Sequence, residues 1–173
     1  MPDPDAGAFR YRLTSAPPLL VEGSLREALA VTAGDALADG HKQLPFHGSL
    51  EVSDTDRAAF PFLSVHLTGT GNATQLGNYA ATFDFRVDLR TRSSPAVGPF
   101  TLTAANGDSI VGDLVGRASI ANGAATVVEA ATITGGTGRF AGATGSLTTA
   151  RRVIQATGIS SGAFDGTIVL WRL

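Results

Sequence analysis

Three carboxylates stand within apolar β-type runs of this 173-residue sequence: Glu51, Glu129 and Asp165. Enclosure by apolar side chains disfavours the charged form of a carboxyl group, which raises its pKa and lets it pass a proton near neutrality. On the outer face of a strand the same group is merely solvated. His66 alternates with Ser64 and Thr68, the pattern of a wet or cavity-lining strand face,. Tyr79 and Trp171 each offer an apolar body with a polar tip, suited to gripping an unsaturated ligand. Phe60, Phe62, Phe83, Phe85, Phe100, Phe140 and Phe164 either line the same cavity or fill a core,. Arg151 and Arg152 point to opposite faces of a strand, so at most one enters an interior, where it needs a carboxylate or a ligand anion,.

Other chemistries lack their residues. Cysteine is absent, and His41, His47 and His66 fall in no metal-ligand spacing, so no metal site is expected,. Gly135-Gly-Thr-Gly-Arg139 lacks the Lys-Ser/Thr ending of a phosphate-cradling loop, and no Gly-x-Ser-x-Gly elbow occurs,. Net charge is −2 and no basic run exceeds Arg151-Arg152, which argues against nucleic-acid binding,. No apolar run approaches the roughly 20 residues of a membrane span. The start, Met1-Pro-Asp-Pro-Asp, does not read as a secretory leader,. A cytoplasmic protein is expected, with secretion of a trimmed precursor as the alternative.

Hydrophobic content of 43% against 16% charge predicts a folded chain,. Residues 1–43 read as an extension. Within it Ser24-Leu-Arg-Glu27 has capping-box spacing, and Leu25, Ala28, Leu29, Ala33, Ala36 and Leu37 predict a helix over about 24–38,. Residues 44–173 read as β, with strands at 44–52, 61–70, 78–90, 99–105, 108–117, 125–134, 146–154 and 162–171,. Around Ala105-Asn-Gly107 a three-residue loop pairs Leu102 with Ile110 and Phe100 with Gly112. That register keeps the apolar side chains on one face,. Eight strands without helical crossovers predict an all-β, eight-stranded antiparallel barrel with a short N-terminal helix, a β-sandwich being the alternative.

The stretch Ile133-Thr-Gly-Gly-Thr-Gly-Arg-Phe-Ala-Gly-Ala-Thr-Gly145 resembles the signature of the allene oxide cyclase and dirigent barrels. Ala105–Gly116 is similar to the glycine-containing hairpin that precedes it. Gly69-Thr-Gly-Asn-Ala-Thr-Gln-Leu-Gly77 resembles patterns in bacterial relatives of unassigned role. The resemblance implies a calycin-like barrel with an apolar lumen, often oligomeric, that works on hydrophobic small molecules without a metal or organic cofactor. Plant allene oxide cyclases carry an early-strand Glu-x-Asn followed by a proline. The similar segment here is Glu51-Val-Ser53 with Pro61 beyond, Ser53 replacing the amide and Pro61 lying one residue further on.

The functional expectation is a cofactor-free cyclase or isomerase that folds a hydrophobic substrate inside the lumen. Glu51 and Tyr79 are its catalytic candidates, and Ser53, Pro61, His66, Glu129 and Trp171 its substrate-binding candidates. A homo-oligomer, dimer or trimer, is expected. The alternatives are a ligand-binding barrel without turnover and a structural, oligomer-forming barrel with a packed interior.

Overall fold

In the computed structural model, residues 40–91, 94–122, 124–154 and 156–171 are described; the helix expected at 24–38 lies outside them. The described residues form nine antiparallel strands: β1 (His41–Pro45), β2 (Gly48–Ala59), β3 (Phe62–Ala73), β4 (Gly77–Asp88), β5 (Ala96–Ala104), β6 (Ser109–Ala121), β7 (Ala124–Gly136), β8 (Thr144–Ile154) and β9 (Ile159–Trp171). Each strand from β2 to β8 pairs with the next, and β9 pairs with both β8 and β2. Eight strands therefore close into a barrel, which removes the exposed sheet edges that invite aggregation.

The short β1 pairs with Thr167–Trp171 along the same side of β9 that carries β2 at Ile159–Phe164. The single strand expected over 44–52 is thus broken at Phe46-His47. The Phe46 N–H still donates to the Gly166 carbonyl at 2.9 Å, while its ring is fully buried 5.1 Å from that of Phe164. Losing two ladder residues lets the aromatic ring enter the core.

Inward and outward residues alternate strictly, most clearly along β7, where Ala125, Val127, Glu129, Ala131 and Ile133 are buried between exposed neighbours. The β5–β6 hairpin has the expected register, Leu102 opposite Ile110 and Phe100 opposite Gly112, with Gly107 at φ 89° in the turn. Inward glycines lie against bulky neighbours. The Tyr79 ring crosses Gly71, where an added Cβ would fall 2.4 Å from the tyrosine oxygen. Phe100 covers Gly112, Glu129 covers Gly116, and Arg151 lies beside Gly162 in the same way.

The two barrel ends differ. At one end, which we call the plug end, β3 meets β4, β5 meets β6 and β7 meets β8. Phe46, Leu76, Ile110, Phe140 and Ala143 close it, each at most 4% exposed. The glycine-rich stretch builds this closure: a 3-10 turn at Gly138–Phe140 drives the Phe140 ring into the core. Gly138 adopts φ 56°, and a Cβ there would lie 1.8 Å from Asp108 Oδ1, so the position favours glycine,. Arg139 spans the plug, 3.7 Å from Asp108, donating to the Leu76 carbonyl at 3.4 Å, its guanidinium 4.8 Å from the Phe140 ring.

At the opposite, rim end, the inward side chains of Leu63, Val65, Val87, Ile120 and Val153 are only half-buried, and Ala118 is exposed. Strand β5 starts at Ala96, opposite Gly116, so its pairing leaves the last turns of β6 uncovered.

Candidate functional site

Between plug and rim the lumen is filled. A void of about 20 Å³, the size of one water, remains among Leu50, Tyr79, Phe83, Leu114, Thr149 and Phe164,. Among the described residues, this void of the expected lumen is too small for a substrate. The cause is the pairing of inward glycines with Phe, Tyr and Leu on neighbouring strands, which interdigitates them across the axis,.

The interior becomes polar one layer below the rim. Glu129 on β7 and Arg151 on β8 face inward, sharing parity with buried or half-buried neighbours two residues away: Val127 and Ala131 for the acid, Thr149 and Val153 for the base,. Arg151 Nε donates to Glu129 Oε1 and Oε2 at 3.1 and 3.2 Å, and Nη2 donates to Oε1 at 2.8 Å. Arg151 Nη1 donates to Ser160 Oγ at 2.8 Å. The three residues are 3%, 9% and 2% exposed, and Thr149 beside them is also buried. Arg151 is the inward arginine of its pair, and Glu129 is the carboxylate that such a position requires.

The other sequence candidates lie elsewhere. Glu51 points outward on β2, its parity set by Ser49 and Ser53, which are exposed like it. It borders an open depression of about 840 Å³ on the outer face of β9 and β2 to β5, with Thr70, Asn72, Asn78, Thr103 and Ser161. Tyr79 forms part of the floor of the same depression. It is buried, and its hydroxyl donates to the Ser49 carbonyl at 2.9 Å. Burial pushes its pKa from 10.0 up to about 12, so it stays protonated at neutral pH,.

Ser53 is exposed on the outer face, paired with Thr68 and Ile159. Pro61 follows Phe60 through a cis peptide in the β2–β3 turn at the rim end, and Phe60 itself is 81% exposed. His66 lies on the outer face of β3, its Nδ1 2.6 Å from Asp84 Oδ1 on β4. Trp171 sits at the plug end, half-exposed, its ring 3.8 Å from that of His41. The structure therefore gathers Glu51 and Tyr79 around one outer depression, holds Glu129 inside with Arg151, and disperses Ser53, Pro61, His66 and Trp171. Arg151 and Ser160, which complete the interior cluster, were not among the site candidates. Arg151 was legible only as an arginine in need of a partner.

A further charged group marks the rim end. Asp88, at the end of β4, accepts from Arg90 Nε at 2.9 and 3.1 Å and from its backbone N–H at 2.9 Å. These bonds hold its pKa down from 3.8 to about 2. The Arg86 guanidinium lies 3.6 Å from the centre of the Phe62 ring close by,.

The fold is that of the dirigent barrels. The solved pterocarpan synthase dirigent protein GePTS1 aligns over 83% of this chain and 99% of its own, with a TM-score of 0.55 and 14% sequence identity. No family model and no curated protein matches the sequence.

Proposed function

We propose that this chain is a small-molecule-binding barrel of the dirigent type that receives an apolar ligand at its rim end and does not transform it. The observation that carries this reading is the asymmetry of the ends. One is closed by side chains at most 4% exposed, and the other leaves inward Leu, Val and Ile only half-buried and Ala118 exposed above a buried polar cluster. An apolar concavity with a few convergent polar groups is the ordinary composition of a ligand site. That a protein of this fold is a pterocarpan synthase supports an organic small molecule as the ligand.

Binding is favoured over cyclisation because the groups suited to proton transfer are committed or misplaced. Glu51 lies outside the barrel, the Tyr79 hydroxyl is bound to a backbone carbonyl, and Glu129 is held by Arg151. The test uses the neutral fluorescent probe N-phenyl-naphthylamine with two bulky substitutions at exposed alanines. Ala118→Trp covers the rim and Ala141→Trp adds the same bulk at the plug. Saturable enhancement that Ala118→Trp abolishes and Ala141→Trp preserves is the expected result. No enhancement, or equal effects of both substitutions, would contradict it.

A further inference from the structure

The geometry points to an uncharged carbonyl oxygen as the head group of the ligand, received by two N–H groups of Arg151; this rests on the rim-end reading above. A guanidinium carries five N–H donors in a fixed plane. In Arg151 one on Nε and one on Nη2 bind the Glu129 carboxylate, and one on Nη1 binds Ser160 Oγ. The remaining two, one on each Nη, have no partner among the described residues. The side chain is 8% exposed, so these donors are largely withdrawn from water. A buried donor left unmade is costly, and a ligand acceptor relieves that cost.

Three observations fix the kind of acceptor. First, position: Val127 pairs with Arg151 on one side and with exposed Ala118 on the other, and Val153, two residues from Arg151 toward the rim, is half-buried. These pairings put Arg151 on the strand layer next below the apolar rim. Second, charge: Glu129 already neutralises Arg151. A ligand anion would sit beside the Glu129 carboxylate in a poorly screened interior and be repelled, while a cation would meet the arginine,. Third, preorganisation: Glu129 and Ser160, 3% and 2% exposed, hold the guanidinium in one plane, so the two open donors keep a fixed direction,. A ketone, enone, lactone or quinone oxygen has two lone pairs, no charge and no donor of its own, and it matches this arrangement.

The experiment compares three probes on the intact protein: butyrophenone, butylbenzene, which lacks the carbonyl, and the anion butylbenzoate. Affinities come from NMR titration, which also reports the residues affected. The infrared carbonyl stretch of bound butyrophenone reports the hydrogen bonds directly. Because removing one member of the buried pair alone can prevent folding, the control is the double variant Glu129→Leu/Arg151→Met, which replaces both charges together.

Butyrophenone is expected to bind about tenfold more tightly than butylbenzene, the effect of a hydrogen bond to a charged donor. Its carbonyl stretch when bound should lie below the value in an apolar solvent, as hydrogen bonding requires. The double variant should bind both probes equally and lose the infrared shift, and butylbenzoate should bind more weakly than butyrophenone. Equal binding of butyrophenone and butylbenzene at the rim of the wild type would overturn the carbonyl assignment and leave the apolar site standing. Tighter binding of the anion would also overturn it. Failure of every probe to perturb the rim would overturn both readings.

Discussion

Removing Glu129 alone should be far more damaging than removing it together with Arg151. Glu129→Leu leaves a guanidinium, 9% exposed, that has lost both donors to the carboxylate and keeps only its bond to Ser160. Breaking one side of a buried ion pair costs about 3–5 kcal/mol, because the remaining charge stays desolvated without its partner. Arg151→Met strands the Glu129 carboxylate, 3% exposed, at a similar cost. A barrel of this size has on the order of 5–15 kcal/mol in all, so each single variant loses a large part of it.

The double variant Glu129→Leu/Arg151→Met removes both desolvation costs and fills the space with apolar side chains. Its stability should lie within about 1 kcal/mol of wild type, or above it. Measured by urea unfolding, the two positions are then coupled by several kcal/mol, well beyond the roughly 0.5 kcal/mol scatter of independent sites. Added salt should leave the coupling nearly unchanged, because a buried pair is poorly screened. Single variants that each cost less than about 1 kcal/mol, with an additive double variant, would mean that the pair is solvated and the interior cluster does not exist as described.

The raised pKa of Tyr79 gives a pH dependence with a definite sign. The folded protein holds the phenol proton up to about 12 and the unfolded chain only to 10.0, so stability is intact below pH 10 and falls as pH rises toward 12,. The loss should not exceed about 2–3 kcal/mol and should disappear in Tyr79→Phe, as urea midpoints across this pH range will show. Gly162→Ala places a Cβ 2.2 Å from the Ala150 carbonyl oxygen and 2.6 Å from Arg151 Cα. These are backbone atoms that cannot turn aside, so a destabilisation of about 2–3 kcal/mol or more is expected in thermal unfolding. Glu51→Gln, on the exposed outer face, should change stability by less than about 0.5 kcal/mol and leave probe binding at the rim unaltered in the same titrations,.

Much of the fold can be read from local pattern. The alternation of Phe83, Phe85 and Val87 with polar neighbours marks β4, and the apolar faces of Phe100–Ala104 and Ile110–Leu114 select the hairpin register that the structure adopts. The break at Phe46-His47 is not local, because it depends on where Phe164 places its ring. Nor does the filled lumen follow from composition. Glycines such as Gly71 and Gly112 suggest space until pairing sets Tyr79 and Phe100 across them.

The site candidates divide by the same logic. Apolar residues immediately beside an acid put it on the opposite face, whereas apolar residues two positions away put it on the same face. Glu51 has Leu50 and Val52 beside it and Ser49 and Ser53 at two, so it points outward, and that is legible in sequence. Glu129 has apolar Val128 and Ala130 beside it as well as Val127 and Ala131 at two, so local pattern leaves its face open and the structure turns it inward. The match of Glu129 with Arg151, 22 residues away, is not legible either, because it needs the register between β7 and β8.

Entry of an apolar ligand at the rim can be read from an NMR map of shift changes on adding butyrophenone. The changes should cluster on Val65, Val87, Ala118, Ile120 and Val153 and on the side chain of Arg151, with Thr137–Ala143 at the plug unmoved. Changes centred on Glu51, Asn72 and Asn78 in the outer depression, or on the plug, would contradict it.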